Sequence, residues 1–454
     1  MSYIAIFDIG KTNKKFFLFD QQLREVGRDY TQFEETTDED GFPCDDLDKL
    51  VPWMQETFAK ASSEYSIKAL NFSTYGASFV HVGREGQPVT PLYNYIKPFP
   101  EDLLQIFYQK YGGWEAWAQQ TASPPLGMLN SGLQIYWLKK TKPELFAKIK
   151  TALHLPQFCS YLFTGKAVSE YTSIGCHTGM WNFKERDYHR WIYDEDVDVL
   201  LPRLAPAYAN HLVDIDGKEV YVGMGIHDSS AALLPYIVTN EEPFLLISTG
   251  TWSITLNPFN TALLTEEELL ADCLNFMRVD GKPVKAARLF LGNEYKLQVK
   301  KLHQYFGKEY GYHRSLQFDP ETYKKCRAKE RLQFRFESIH KDRSAPTQTD
   351  LFVFPDFETA YHQLMIELVD LQIEAVLLAQ GRTPIKRIYI DGGFVDNDIF
   401  VKLLAMHFKA YEVITTKSPL GSALGAAMAV YNKNLDKNFL LNHFELQRQE
   451  PVML

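Results

Sequence analysis

The chain has no Cys-x-x-Cys pair, and its five cysteines stand apart at 44, 159, 176, 273 and 326. An odd number at such spacings supports neither a disulfide framework nor a structural zinc site, and it fits a reducing cytoplasmic compartment. No run approaches the ~18 consecutive apolar residues of a membrane span. The stretch before Asp8 lacks a basic n-region and a long apolar h-region, so no secretory leader is expected in it. Positive charge is also scarce: 48 Lys and Arg face 57 Asp and Glu, a net charge of −9. That balance disfavours a nucleic-acid partner, because such affinity comes from clustered basic residues. A small anionic ligand needs only a local arrangement and stays open.

What is present is a globular composition, 45% hydrophobic and 23% charged. A length of 454 residues is too great for one core and predicts two or three domains. The opening "IAIFDIGKTNKKFFLFD", Ile4 to Asp20, reads as strand, tight turn, strand. Residues 67–74 and 78–82 are further strands, and 101–163 reads as helical. Residues 220–226 return to a strand. "FLLISTGTWSITLNPF", Phe244 to Phe259, then repeats the form of the opening. Two similar halves explain this, and so does chance likeness between two hairpins. Downstream, a helix over 356–380, a strand over 387–390, a helix near 398–410 and a strand over 411–416 alternate. A last helix takes Ser418 as N-cap and Pro419 at its first position. Such alternation places helices on a sheet, an α/β fold. Residues 296–345 are basic and charged and read as a solvated helical excursion rather than a binding patch.

Several stretches carry chemistry. Gly10 lets backbone approach a ligand, and the N–H groups of its turn, with Lys11, Thr12 and Asn13, offer donors to an anion. Asp8 brings an acid to the same place, which makes sense where a divalent cation bridges it to phosphate. A plain hairpin turn with Asx-type hydrogen bonds accounts for the same residues. Gly250 and Thr251 form a similar turn without an acid. Gly392 and Gly393 lie between a strand and a helix, with Asn397 following. Asp228 opens an Ala-rich helix, as a cap or as a general base beside His227.

Together these pieces resemble the FGGY carbohydrate kinases of the actin-like ATPase superfamily. The resemblance is carried by Asp8-Ile9-Gly10-Lys11-Thr12-Asn13, His227-Asp228-Ser229-Ser230-Ala231 and Ser248-Thr249-Gly250-Thr251-Trp252-Ser253. Asp391-Gly392-Gly393 with Asn397, and Gly421-Ser422-Ala423-Leu424-Gly425-Ala426, complete it. Within the family the chain looks closest to the L-rhamnulose and L-fuculose kinases, on "STYGASFVHVGREGQPVTPLYNYI", Ser73 to Ile96. The resemblance implies two ribonuclease-H-like domains flanking a deep cleft, residues 1–240 for sugar and 241–454 for nucleotide. It implies ATP as phosphoryl donor, Mg²⁺, and Asp228 as catalytic base. Asp8 and Asp228 are its metal-side acids. Gly10, Lys11, Thr12, Asn13, Gly250, Thr251, Gly392, Gly393 and Asn397 are its ATP-side residues. Thr74, Tyr75, Gly76, His227 and Asp228 are its sugar-side residues. The expected partners are a small sugar and ATP, with no nucleic acid and no membrane, and a homodimer is left open. Another ketose or polyol such as xylulose, or a catalytically silent sugar-binding regulator, remains as an alternative.

Overall fold

The computed structural model describes residues 1–328, 332–339, 346, 348–417, 420–431 and 439–453. The expected cap at Ser418 and Pro419 lies outside the described residues. The structure is mixed α/β with two sheet-containing domains.

The first sheet is built from β1 (Tyr3–Ile9), β2 (Lys14–Phe19), β3 (Glu25–Thr31), β4 (Ile67–Thr74), β5 (Asn210–Ile215) and β6 (Lys218–Gly223). Their spatial order is β5-β6-β4-β1-β2-β3, with short Ile226–His227 also pairing β4. The second sheet contains β7 (Phe244–Thr249), β8 (Ser253–Asn257), β9 (Cys273–Met277), β10 (Pro283–Leu289), β11 (Arg387–Gly392), β12 (Glu412–Lys417) and β13 (Glu445–Gln449). Its order is β9-β10-β8-β7-β11-β12-β13. Read from the hairpin edge, β3-β2-β1-β4-β6-β5 matches β10-β8-β7-β11-β12-β13, with the same sense at every pairing. The repeat suggested by the two hairpins is thus a repeat of sheets.

The central strands are apolar on both faces, and the period of two explains where each side chain goes. Ile4 and Ile6 of β1 face one core, whereas Ala5, Phe7 and Ile9 face another. Phe244 and Leu246 of β7 join the first of these cores, and Leu245 and Ile247 a third. The shared core holds two helices between the sheets, Asp228–Thr239 and Gly421–Val430. Small residues let them approach: a Cβ at Gly425 would collide with the Ala231 carbonyl. Asn71 ties the seam, donating to the Ala426 carbonyl at 2.9 Å and accepting from Gly225 N at 3.0 Å.

Three differences from the sequence expectations have physical reasons. Leu47–Glu64 is a helix where the sequence pattern assigned no element, despite Pro52 inside it. An interior proline costs roughly 3 kcal/mol. Burying Leu50, Met54 and Phe58, at roughly 1.5–3 kcal/mol each, outweighs that. Within the span read as helical, Thr151–His154 is a strand pairing antiparallel with Phe79–Val82. The basic excursion also contributes an amphipathic helix, Leu291–Phe306, that buries Leu291, Val299, Leu302 and His303.

Candidate active site

The carboxyl end of β1 meets the Gly421–Val430 helix of the second half. Asp8 lies one residue before the end of β1, and its Oδ1 accepts from Ser422 Oγ at 2.7 Å. Ser422 stands in the first turn of the Gly421–Val430 helix, so this bond links the two halves. Burial pushes the Asp8 carboxyl above its ordinary range; Ser422 opposes this, and the charge of Asp228 adds to it.

Asp228 is the first residue of its helix, and His227, not Asp228, holds the cap position. The Asp228 Oδ1 lies 3.2 Å from His227 Nε2 and accepts from Ser229 Oγ at 3.2 Å. The side chain is 36% exposed, so the carboxylate remains reachable. Burial pulls the His227 pKa down, against the Asp228 charge. Neutral His227 has one proton to give, and its Nδ1 is enclosed without a partner. His227 Nε2 lies 3.2 Å from Cys176 Sγ as well as from Asp228 Oδ1, so its proton stands within reach of both. Gly76 lies against the imidazole: a Cβ there would come within 3.0 Å of the ring.

The first turn is closed by Gly10 N–H donating to the Asn13 carbonyl at 2.8 Å. Lys11 Nζ reaches Asp45 at 2.6 Å and Glu35 at 3.1 Å. Burial works to lower the Lys11 pKa, and the Asp45 and Glu35 contacts more than reverse it. Asp45 also takes Lys14 Nζ at 2.9 Å and the Tyr75 hydroxyl at 2.7 Å. Thr12 is exposed. Asn13 Oδ1 is occupied by the Tyr30 hydroxyl and Gln32 Nε2. Thr74 donates to the Tyr75 carbonyl at 2.9 Å.

The second turn opens on a cavity of about 560 Å³. Gly250, Thr251, Gly393 and Asn397 line it, together with Tyr295, Tyr361, His313 and Arg314. Gly250 N–H donates to the Trp252 carbonyl at 2.8 Å. Gly392, at φ +90°, is not among the lining residues; it turns the chain so that Gly393 N–H donates to the Thr249 carbonyl at 2.8 Å. Asn397 caps the Asp398–His407 helix and donates to the Tyr361 hydroxyl at 2.9 Å. The acid that the second hairpin lacks is supplied by its neighbour: Ser248 pairs with Asp391, as Asp8 pairs with Ser73.

Sequence reasoning missed Asp45, Glu35, Ser422 as a partner of Asp8, and the lining residues from the basic excursion. Tyr310, an aromatic set among the charges, was the available signal for that excursion. For Asp45 there was none, because its partners lie about 30 residues away in sequence.

Among the described residues no group of three His, Cys, Asp or Glu side chains is placed to hold a metal ion. Two carboxylates still suit Mg²⁺, which keeps several waters and takes phosphate oxygens as further ligands. No described helix is long and apolar enough to cross a membrane.

The two halves thus repeat one sheet plan, with acids at the strand ends and glycine turns beside a cavity. Residues 3–210 match the profile of the N-terminal domain of the FGGY family of carbohydrate kinases. It is 23% identical over 256 residues to a rhamnulokinase from Halalkalibacterium halodurans, a match spanning 54% of this chain and about half (52%) of that relative. A carbohydrate kinase from Novosphingobium aromaticivorans superposes with TM-score 0.78 at 23% identity, covering 98% of this chain and 96% of that one. A ligand-bound xylulose kinase from Lactobacillus acidophilus gives TM-score 0.79 at 15% identity, covering 100% and 94%. These structures share the fold.

Proposed function

We propose that the chain is an ATP-dependent sugar kinase that transfers the γ-phosphoryl group to a hydroxyl of a ketose. The observation that carries this reading is the convergence of Asp8 and Asp228 at the seam between two repeated sheets, one of which offers the glycine-lined cavity. Phosphoryl transfer needs positioning and charge neutralisation more than covalent help. Asp228, oriented by His227 and exposed, takes the proton of the sugar hydroxyl. Asp8 and Asp228 would hold Mg²⁺, which would supply neutralisation of charge on the phosphates. Gly250, Thr251, Gly393 and Asn397 border the nucleotide, with the Gly10–Asn13 turn on the opposite side. Thr74, Tyr75, Gly76 and His227 form the sugar side. Lys11, committed to Asp45 beside Tyr75, belongs with the sugar side as well.

Residues 1–240 form the sugar domain and 241–454 the nucleotide domain, in keeping with strands that segregate at that point. L-rhamnulose and L-fuculose are the first sugars to test, supported by the rhamnulokinase relative. Xylulose follows, from the structural likeness. The protein works in the cytoplasm, where its five buried cysteines are at home. A coupled assay of ADP release over these ketoses tests the reading. Release that requires a ketose supports it; release indifferent to every sugar would replace the kinase with an ATPase.

A further inference from the structure

The cavity has an end remote from the glycine turns, and two joined histidines stand there. Gly292, at the start of the Leu291–Phe306 helix, abuts the Gly250 carbonyl. His303 lies about 16 Å further along that helix at ~1.5 Å per residue. Its Nδ1 is 3.1 Å from the Lys308 carbonyl oxygen, and its Nε2 is 2.8 Å from His313 Nδ1.

These contacts fix the tautomers in sequence. A carbonyl oxygen only accepts, so His303 Nδ1 carries a proton. With its Nδ1 proton given to that carbonyl, His303 offers the Nε2 lone pair, and His313 Nδ1 donates to it. The single proton of neutral His313 is thereby committed to Nδ1, and its Nε2 is a bare acceptor. That nitrogen takes no partner among the described residues, and His313 lines the cavity while only 5% exposed. Burial, with His303 and Arg314 adding to it, pulls the His313 pKa down to about 4, so the ring is neutral near pH 7. Tyr310, Tyr361 and Tyr295 enclose it, with ring centroids 5.7, 5.8 and 5.9 Å away.

We propose that His313 reads the base of the nucleotide, its Nε2 accepting a hydrogen bond from the 6-amino group of adenine, with His303 as the positioning residue that fixes its tautomer. A 6-oxo purine presents an oxygen lone pair to that nitrogen and is rejected. The proposal rests on the cavity being the nucleotide site. No other polar group need change for the discrimination to arise, because an unpaired buried acceptor is itself costly.

Calorimetry without sugar, using ATP, purine riboside triphosphate (which lacks the 6-amino group) and inosine triphosphate, tests it. Wild type should bind ATP about tenfold tighter than purine riboside triphosphate, the size of one good neutral hydrogen bond. It should bind inosine triphosphate more weakly still. His313→Phe should bring ATP down to the purine riboside level and leave purine riboside triphosphate unchanged. His303→Leu should narrow the gap between ATP and inosine triphosphate. Equal affinity of wild type for all three nucleotides overturns the proposal while leaving the nucleotide cavity intact, as does a His313→Phe variant that weakens all three alike. Binding of none of them removes the nucleotide reading of the cavity, and the proposal with it.

Discussion

The Gly10 turn and the Gly250 turn stand at equivalent places in the two sheets, and each closes on a backbone bond from its glycine N–H. Around the first, charge is packed: Lys11, Lys14, Asp45 and Glu35 form one ion-pair network against Tyr75. Around the second, space is left open, and aromatic side chains line it. The acid sits on the turn's own strand in the first half and on the neighbouring strand in the second. One backbone plan thus carries two different surroundings, one charged and one open, set by the side chains around each turn.

The most severe way to break this asymmetry is at the seam. Asp228→Asn keeps the shape and removes the proton acceptor, so kcat should fall about 10²–10⁴-fold, the usual size of a general-base contribution. Because His227, not Asp228, holds the cap position, thermal unfolding should move little. Near wild-type turnover of that variant would show that Asp228 is not the base.

The charged turn can be broken next. Asp45→Asn strands Lys14, whose side chain is 3% exposed, and should cost roughly 3 kcal/mol in a denaturant titration. The same pair sets a pH dependence. Burial alone would raise the Asp45 pKa; Lys11 and Lys14 override it and leave it lowered. Its stabilisation is therefore full above the unfolded carboxylate value of ~3.9 and is lost as pH falls through the folded value. Unfolding of Asp45→Asn should accordingly show a weaker acid dependence than wild type below about pH 4.

The open turn responds differently. A Cβ at Gly250 meets only the Trp252 carbonyl oxygen, at 3.7 Å, so the fold tolerates a side chain there. Gly250→Val should hold its melting temperature yet bind ATP about tenfold more weakly, or about 1.4 kcal/mol. Sugar affinity should stay put; ATP affinity equal to wild type would take this turn out of the site.

The smallest effect separates the turns by ligand. Lys11→Ala should raise KM for the sugar a few-fold and leave KM for ATP unmoved, since its ammonium is held at Asp45 beside Tyr75. A change confined to the ATP constant would return Lys11 to the phosphate side.

How much of this was readable in one dimension follows from range. The apolar runs at β1, β4 and β7, the repeat of hairpins and the Asp356-capped helix Phe357–Gln380 are local patterns, and their boundaries are legible in the letters. The motif residues at 8, 10, 228, 250 and 393 were legible for the same reason: glycine and acid at strand ends are short-range signals. The helix Leu47–Glu64 was not, because its proline speaks against it locally and only the core it covers speaks for it. Nor could the letters say that Lys11 would be spent on Asp45, that Ser422 would reach Asp8 from 414 positions away, or that the basic excursion would wall a cavity. By itself the sequence determined the strands, the turns and which groups sit at their ends, since periodicity and backbone conformation act over a few residues. Only the tertiary structure decided which of those groups meet, because pairing depends on sheet order and helix packing, which no local pattern encodes.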